Sequence, residues 1–225
     1  WVTGLPREMK SSGDPSPWTA LGVFHGMKAC LEEAFGSPEF RGRVVAIQGC
    51  GNVGYHLAKH LVEVGAKLKV ADVAREKAKK VAQETGAELL DSADILRAEC
   101  DVLAPCALGA VINDESLPRL KTKVVAGAAN NVLLREEHGK QLKDAGILYA
   151  PDYVINAGGI INVSLEVEPQ GYDEGRSRKK VENIYNALKA VFAMARTKGI
   201  STHRASNLLA EERIARGRAA AIPVR

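Results

Sequence analysis

The glycines at 49, 51 and 54 constrain this chain more than any other feature. Gly49-Cys50-Gly51-Asn52-Val53-Gly54 is a GxGxxG run that directly follows a continuous apolar stretch, Val44 to Ile47, and opens an amphipathic one, Val53 to Val64. Strand, glycine turn and helix in that order begin a βαβ unit that binds a dinucleotide. Gly49 permits the tight turn, Gly51 removes a Cβ that would block a pyrophosphate, and Gly54 lets the helix pack close to the strand. The helix N-terminus then offers unpaired N–H groups and partial positive charge to the phosphates. Asp72 ends the next apolar stretch, Lys67 to Ala71, about 20 residues on, where its carboxylate can accept hydrogen bonds from both adenosine ribose hydroxyls. A 2′-phosphate there would meet like charge, which predicts NAD in preference to NADP, with Arg75 the one nearby residue able to soften the discrimination. Taken singly, the glycines are a tight turn and Asp72 a strand end or helix cap; their order together makes the dinucleotide reading the stronger.

The rest of the chain extends the same plan. Ser11 to Pro17 (SSGDPSP) is a loop by composition, with Ser16 placed to N-cap a helix that starts at Pro17 and runs to about Phe35. Lys67 to Ala71, Val102 to Ala104, Val124 to Ala126 and Ile147 to Ala150 read as further strands, and Ala74 to Thr85 as a helix between the first two. The alternation predicts an α/β fold, a doubly wound Rossmann-type parallel sheet. From Ser177 the pattern is helical alone, with Val181, Ile184, Tyr185, Leu188, Val191, Phe192 and Ala195 on one stripe before Gly199, and a last helix over Asn207 to Arg218. Residues 1–225 thus read as one dinucleotide-binding domain with an all-helical extension over 177–225, packed either on this domain or on another.

Composition narrows the partners. The formal charge is +4 in 225 residues, and Lys and Arg are scattered beside Glu and Asp without a basic block, which argues against nucleic acid. Every apolar run is broken within a few residues by Gly, Lys or Glu, so no membrane span is expected. Cys30, Cys50, Cys100 and Cys106 form no CxxC pair and sit in apolar or glycine-rich segments, as reduced thiols of a cytoplasmic protein would. His56 and His60 share a helix face but lack a third ligand at suitable spacing, so no metal site is predicted and both are assigned to a solvated face. Cys106 has no histidine or acid in sequence to activate it as a nucleophile.

Four stretches carry a more specific signal: Ser11 to Pro17, Ala104 to Ala110 (APCALGA), Ala126 to Asn131 (AGAANN) and Ala150 to Asn162 (APDYVINAGGIIN). In these the sequence resembles the glutamate/leucine/phenylalanine/valine dehydrogenase superfamily, the leucine dehydrogenase branch above all, over nearly its whole length. The resemblance implies that Thr19 stands near the nicotinamide carboxamide and that Ala107 and Ala129 line the cofactor with backbone atoms. It further implies that Asn130 contacts the nicotinamide ribose and the substrate edge, that Asn156 fixes the nicotinamide face, and that Ile160 and Val163 form part of the substrate side-chain pocket. Without it, the two asparagines read as turn or cap residues and the two aliphatics as core.

The activity so implied is NAD-dependent, reversible oxidative deamination of branched-chain L-amino acids to 2-oxo acids and ammonium, by an enzyme that acts as a homo-oligomer. The lysines and aspartate that perform proton transfer and bind the substrate carboxylate belong, in that family, to a separate N-terminal domain with a glycine-rich, lysine-bearing segment. No such segment occurs here, and the chain opens at Trp1, so it reads as a piece of a longer protein, with no catalytic residue of its own, that binds NAD without turning over. A phenylalanine-type dehydrogenase could share the same apolar positions, and an NAD-sensing module without hydride transfer could share the glycine loop.

Overall fold

The computed structural model describes residues 3–5, 8 and 11–221. Its first helix, α1 (Ser16–Phe35), precedes the alternating units β1 (Val44–Gln48), α2 (Asn52–Glu63), β2 (Lys67–Ala71), α3 (Arg75–Thr85) and β3 (Glu88–Leu89). There follow β4 (Val102–Pro105), β5 (Val124–Val125), α4 (Glu137–Asp144) and β6 (Leu148–Tyr149), then α5 (Asp152–Ile155), α6 (Gly158–Ser164), α7 (Glu174–Glu182), α8 (Ile184–Lys198) and α9 (Thr202–Ala221). The six strands form one parallel sheet in the order β3-β2-β1-β4-β5-β6, with Val45 in register with both Leu68 and Val102. Strand order reverses between β1 and β4, so the ligand crevice of such a sheet lies between the loops that leave their carboxyl ends.

Successive strand residues face opposite layers, and the sequence fills both. Val45, Ile47, Val70, Val102 and Val124 join α1, α2 and α8 in one core, while Ala46, Ala71, Leu103, Val125 and Tyr149 face a second around Ile95, Ile112 and Leu142. The C-terminal helices belong to the first core: Val181, Ile184, Leu188, Val191, Phe192 and Ala195 are all buried, as their stripe predicts. Tyr185 is the exception, half-buried at the edge of the stripe with its hydroxyl donating to the Glu32 carboxylate of α1.

Three local expectations need correction. Ser16 does not cap α1 but is its first residue: the N-cap is Pro15, which makes no side-chain cap bond, and Asp14 Oδ1 accepts from the Ser16 amide at 2.8 Å. The helix expected from Ser177 begins at Glu174 and is divided at Asn183 into α7 and α8, and the last helix starts at Thr202, five residues before the expected point. The two-residue edge strand β3 was not expected, because Glu88 and Leu89 are too few to show a period.

Candidate functional site

The glycine loop closes on itself as the motif requires. Gly49 has φ of +102°, and a Cβ on it would lie 2.9 Å from the Cys106 carbonyl and 2.8 Å from Ala107 Cβ, so the turn presses directly against the loop after β4. A Cβ on Gly54 would lie 2.0 Å from the Gly49 carbonyl oxygen. The close approach that demands Gly54 is therefore to the turn itself. Around Gly51, by contrast, nothing lies within 4 Å of where a Cβ would stand. That open space adjoins the N-terminus of α2, whose first-turn amides lack intrahelical partners, an arrangement able to receive an anion. Asn52 is exposed there and Val53 is half-buried against the core.

Asp72 faces the same loop. Its Oδ2 accepts from the Cys50 amide at 2.7 Å and its Oδ1 from the Ala74 amide at 2.7 Å. Each carboxylate oxygen can accept twice, so each keeps an acceptor position for a further donor. Arg75 does not lean toward that position, because its guanidinium is paired with Asp91.

Across the switch point, the loops after β4 and β5 interlock. The Ala110 amide donates to Asn131 O at 2.7 Å and the Ala129 amide to Pro105 O at 2.9 Å, and Ala110 and Asn131 both adopt positive φ, 57° and 51°. Non-glycine residues are held in that region only where their surroundings over-determine it. The interlocked loops line a cleft of about 430 Å³ bounded by Ala107, Leu108, Asn130 and Leu134. Asn130 and Asn156 come together, the Asn156 Nδ2 donating to Asn130 Oδ1 at 2.7 Å and to Ala128 O at 3.2 Å. Ala107 is exposed to the cleft, whereas Ala129 is buried with its amide already engaged, so a ligand could meet only its carbonyl.

The third side is built by α1 and α6. A Cβ on Gly158 would strike Trp18 O at 2.1 Å and one on Gly159 would strike Thr19 Oγ1 at 2.6 Å, so the turn of Asn156 and the start of α1 are in backbone contact. Thr19 is thereby brought beside the NAGG turn. Ile160 is 68% exposed, which rules out the core reading that its spacing alone supports, and Val163 is half-buried.

Charge is sparse around the crevice. Burial pushes the Cys50 and Cys106 thiols up to about 12, with the neighbouring Asp72 charge adding to the effect at Cys50, so neither is a nucleophile near neutrality. His60 is not on a solvated face: it lies half-buried, 5.7 Å from the Phe24 ring, and desolvation by burial lowers its pKa. Among the described residues no group of three His, Cys, Asp or Glu side chains could hold a metal ion. A second cleft, of about 330 Å³ between β6 and α8, opens at the amino ends of the strands, the opposite end of the sheet from the glycine loop.

Two residues of the neighbourhood escaped the sequence reading. Glu166 accepts from the Gly4 amide at 3.1 Å, Ser11 Oγ at 2.6 Å and the Ser12 amide at 2.6 Å. Asn162, fully buried, donates to Ser12 O at 3.3 Å and accepts from Tyr172 OH and Ser177 Oγ. Asn162 lay inside a recognised motif, but Glu166 carries no local signal, because its partners are more than 150 residues away in sequence. Partial burial would raise the Glu166 carboxyl; the hydrogen bonds from Ser11, Ser12 and Gly4 outweigh that and hold it at about 2, against 4.5 ordinarily. A pKa depressed in the folded state contributes stability that is complete above 4.5 and is lost as pH falls through 4.5 toward 2. Glu166→Gln should therefore flatten part of the acid limb of the stability profile. Urea unfolding followed from about pH 6 to about pH 2.5 checks this, and equal slopes for both proteins would contradict it.

Comparison with known proteins gives the same frame. The family model for glutamate/leucine/phenylalanine/valine dehydrogenase matches residues 12–74 and 68–221. The chain is 52% identical over 223 residues to leucine dehydrogenase of Geobacillus stearothermophilus and 54% identical over 214 residues to that of Thermoactinomyces intermedius, matching 99% and 95% of this chain. It spans 60% and 58% of the lengths of those two relatives. The crystal structure of L-tryptophan dehydrogenase from Nostoc punctiforme superimposes with a TM-score of 0.88 at 44% identity, covering 97% of this chain and 66% of the other. No helix among the described residues is long and apolar enough to cross a membrane.

Proposed function

Because the chain belongs to the glutamate/leucine/phenylalanine/valine dehydrogenase family, we propose that it is the NAD-binding part of an enzyme that oxidatively deaminates branched-chain L-amino acids to 2-oxo acids and ammonium. The observation that carries this reading is the open space at Gly51 beside the α2 N-terminus, in a turn held by Asp72 at Cys50 and by the loop after β4 at Gly49, at the switch point of the sheet. Bound there, NAD would supply the hydride acceptor for the amino acid's α-hydrogen.

The chain's own residues then have distinct tasks. Gly51 and the first amides of α2 receive the pyrophosphate, and Asp72 takes the adenosine ribose. The carboxylate of Asp72 and the neutralisation of Arg75 by Asp91 favour an unphosphorylated ribose. Asn130 and Asn156, already hydrogen-bonded to one another, hold the ribose and carboxamide side of the nicotinamide together with Thr19. Ile160 offers an exposed aliphatic surface to the substrate side chain, and with Val163 it favours leucine, isoleucine or valine. A solved L-tryptophan dehydrogenase is 44% identical to this chain, which supports leaving the choice of side-chain size to the opposite wall of the pocket.

Among the crevice residues named above, the titratable ones are Asp72 and the thiols of Cys50 and Cys106, and neither thiol titrates near neutrality. Proton transfer therefore falls to groups beyond them, and we assign the base and the carboxylate-binding cations to a second domain. Titration of the chain with NADH and NADPH, followed by nicotinamide fluorescence, tests the cofactor assignment. NADH is expected to bind at least about 10-fold more tightly than NADPH, and Asp72→Ala to remove most of that preference. Failure of NADH to bind, or equal binding of both cofactors by the unmodified chain, would overturn the assignment. Incubating the chain with leucine and NAD+ should give no NADH formation.

A further inference from the structure

We propose that Glu166 is a positioning residue for the nicotinamide half of the site: with Asn162 it clamps the segment before α1 against α6 and so sets where Thr19 stands. The inference rests on the NAD-binding reading above. It is carried by a continuous chain of contacts. Glu166 receives three donors from one short segment, Gly4, Ser11 and Ser12, and has no cationic partner among the described residues. What these contacts fix is the place of that segment. Asn162, one residue before Val163, holds the carbonyl of the same Ser12 and is itself locked by Tyr172 and Ser177.

From Ser12 the constraint passes forward over very few free torsions. Asp14 holds the Ser16 amide, and Pro15 and Pro17 have fixed φ. Pro15 O accepts from both the amide and the hydroxyl of Thr19, at 2.9 Å and 3.1 Å. Thr19 Oγ1 then lies where a Cβ on Gly159 would be 2.6 Å away, one residue before Ile160. Glu166 and Thr19 are thus coupled through a segment whose every second or third residue is held. The glycine loop and Asp72 hold one another, and their other contacts, with Ala71, Tyr55, Ala74, Cys106 and Ala107, lie outside this chain of contacts.

The two halves of the dinucleotide should therefore respond differently. In Glu166→Ala, NADH affinity is expected to fall about 10-fold, the loss of hydrogen bonds to a charged group, while ADP-ribose, which lacks the nicotinamide, binds as before. Glu166→Gln, which retains one acceptor oxygen and the side-chain shape, should show a smaller loss of the same kind. Hydrogen exchange at the Ser12 amide should accelerate in both variants. A merely structural role would lower the melting temperature and leave the NADH to ADP-ribose ratio unchanged, and that result in either folded variant overturns the proposal. If the unmodified chain binds ADP-ribose but not NADH, there is no nicotinamide half to position and the proposal falls while the adenosine site stands. If it binds neither, the NAD reading itself has failed and takes the proposal with it.

Discussion

Gly51→Thr is expected to weaken NADH binding about 100-fold, equivalent to about 2.7 kcal/mol, and to leave the protein as stable as before. The backbone at Gly51 is extended, with φ of −71° and ψ of −166°, so any residue can adopt it. Nothing lies within 4 Å of the added Cβ, and Gly51 is the N-cap of α2, a position where threonine and glycine are about equally favourable. The free protein therefore has no reason to resist the change. The ligand does, because the side chain occupies the volume through which a pyrophosphate must approach the helix amides. Urea unfolding and NADH titration of the same sample separate the two quantities. Unchanged affinity would mean that phosphate does not pass over Gly51.

Gly54→Ala, three residues on, is expected to do the opposite and destabilise the fold by about 3 kcal/mol. Alanine inside a helix normally gains about 1 kcal/mol over glycine, and Gly54 is in the first turn of α2. Here that gain is overwhelmed. The new methyl would stand 2.0 Å from the Gly49 carbonyl oxygen, and Gly49 cannot retreat because its own far side abuts Cys106 and Ala107. Relief requires the turn and the helix to separate, which uncovers Leu57, Ala58 and Leu61 of the first core. A variant that unfolds at higher urea than the unmodified chain would show that helix propensity outweighs the contact.

The sequence was most legible where the information is local. Val44 to Ile47 followed by the glycine turn identified β1, the turn and α2 because strand burial, φ demand and helix packing all act within a dozen residues. The buried stripe of α7 and α8 was legible for the same reason, as a 3.6-residue period needs no partner to be seen. The exposure of Ile160 was not legible in the local pattern, which makes an aliphatic residue early in a helix core; only the family resemblance pointed it toward a pocket, and the packing of Gly158 and Gly159 on α1 turns it outward. Asp72 was found by spacing, but its two backbone partners were not, because they depend on how the turn folds back over β2. Glu166 was missed altogether, its three donors being assembled by tertiary structure.

That assembly has a consequence for the order in which the molecule comes into being. The adenosine half is made of β1, α2 and β2, neighbours within about 30 residues, and loop-closure entropy opposes such contacts least. The clamp on the first segment joins Gly4 to Glu166 across 162 residues. On a ribosome, Ser11 and Ser12 emerge more than 150 residues ahead of Glu166 and wait without that partner while the sheet between them is made. The β1–α2–β2 side of the crevice can thus form before the side built by α1 and α6, and the segment before α1 is among the last parts of this domain to find its place.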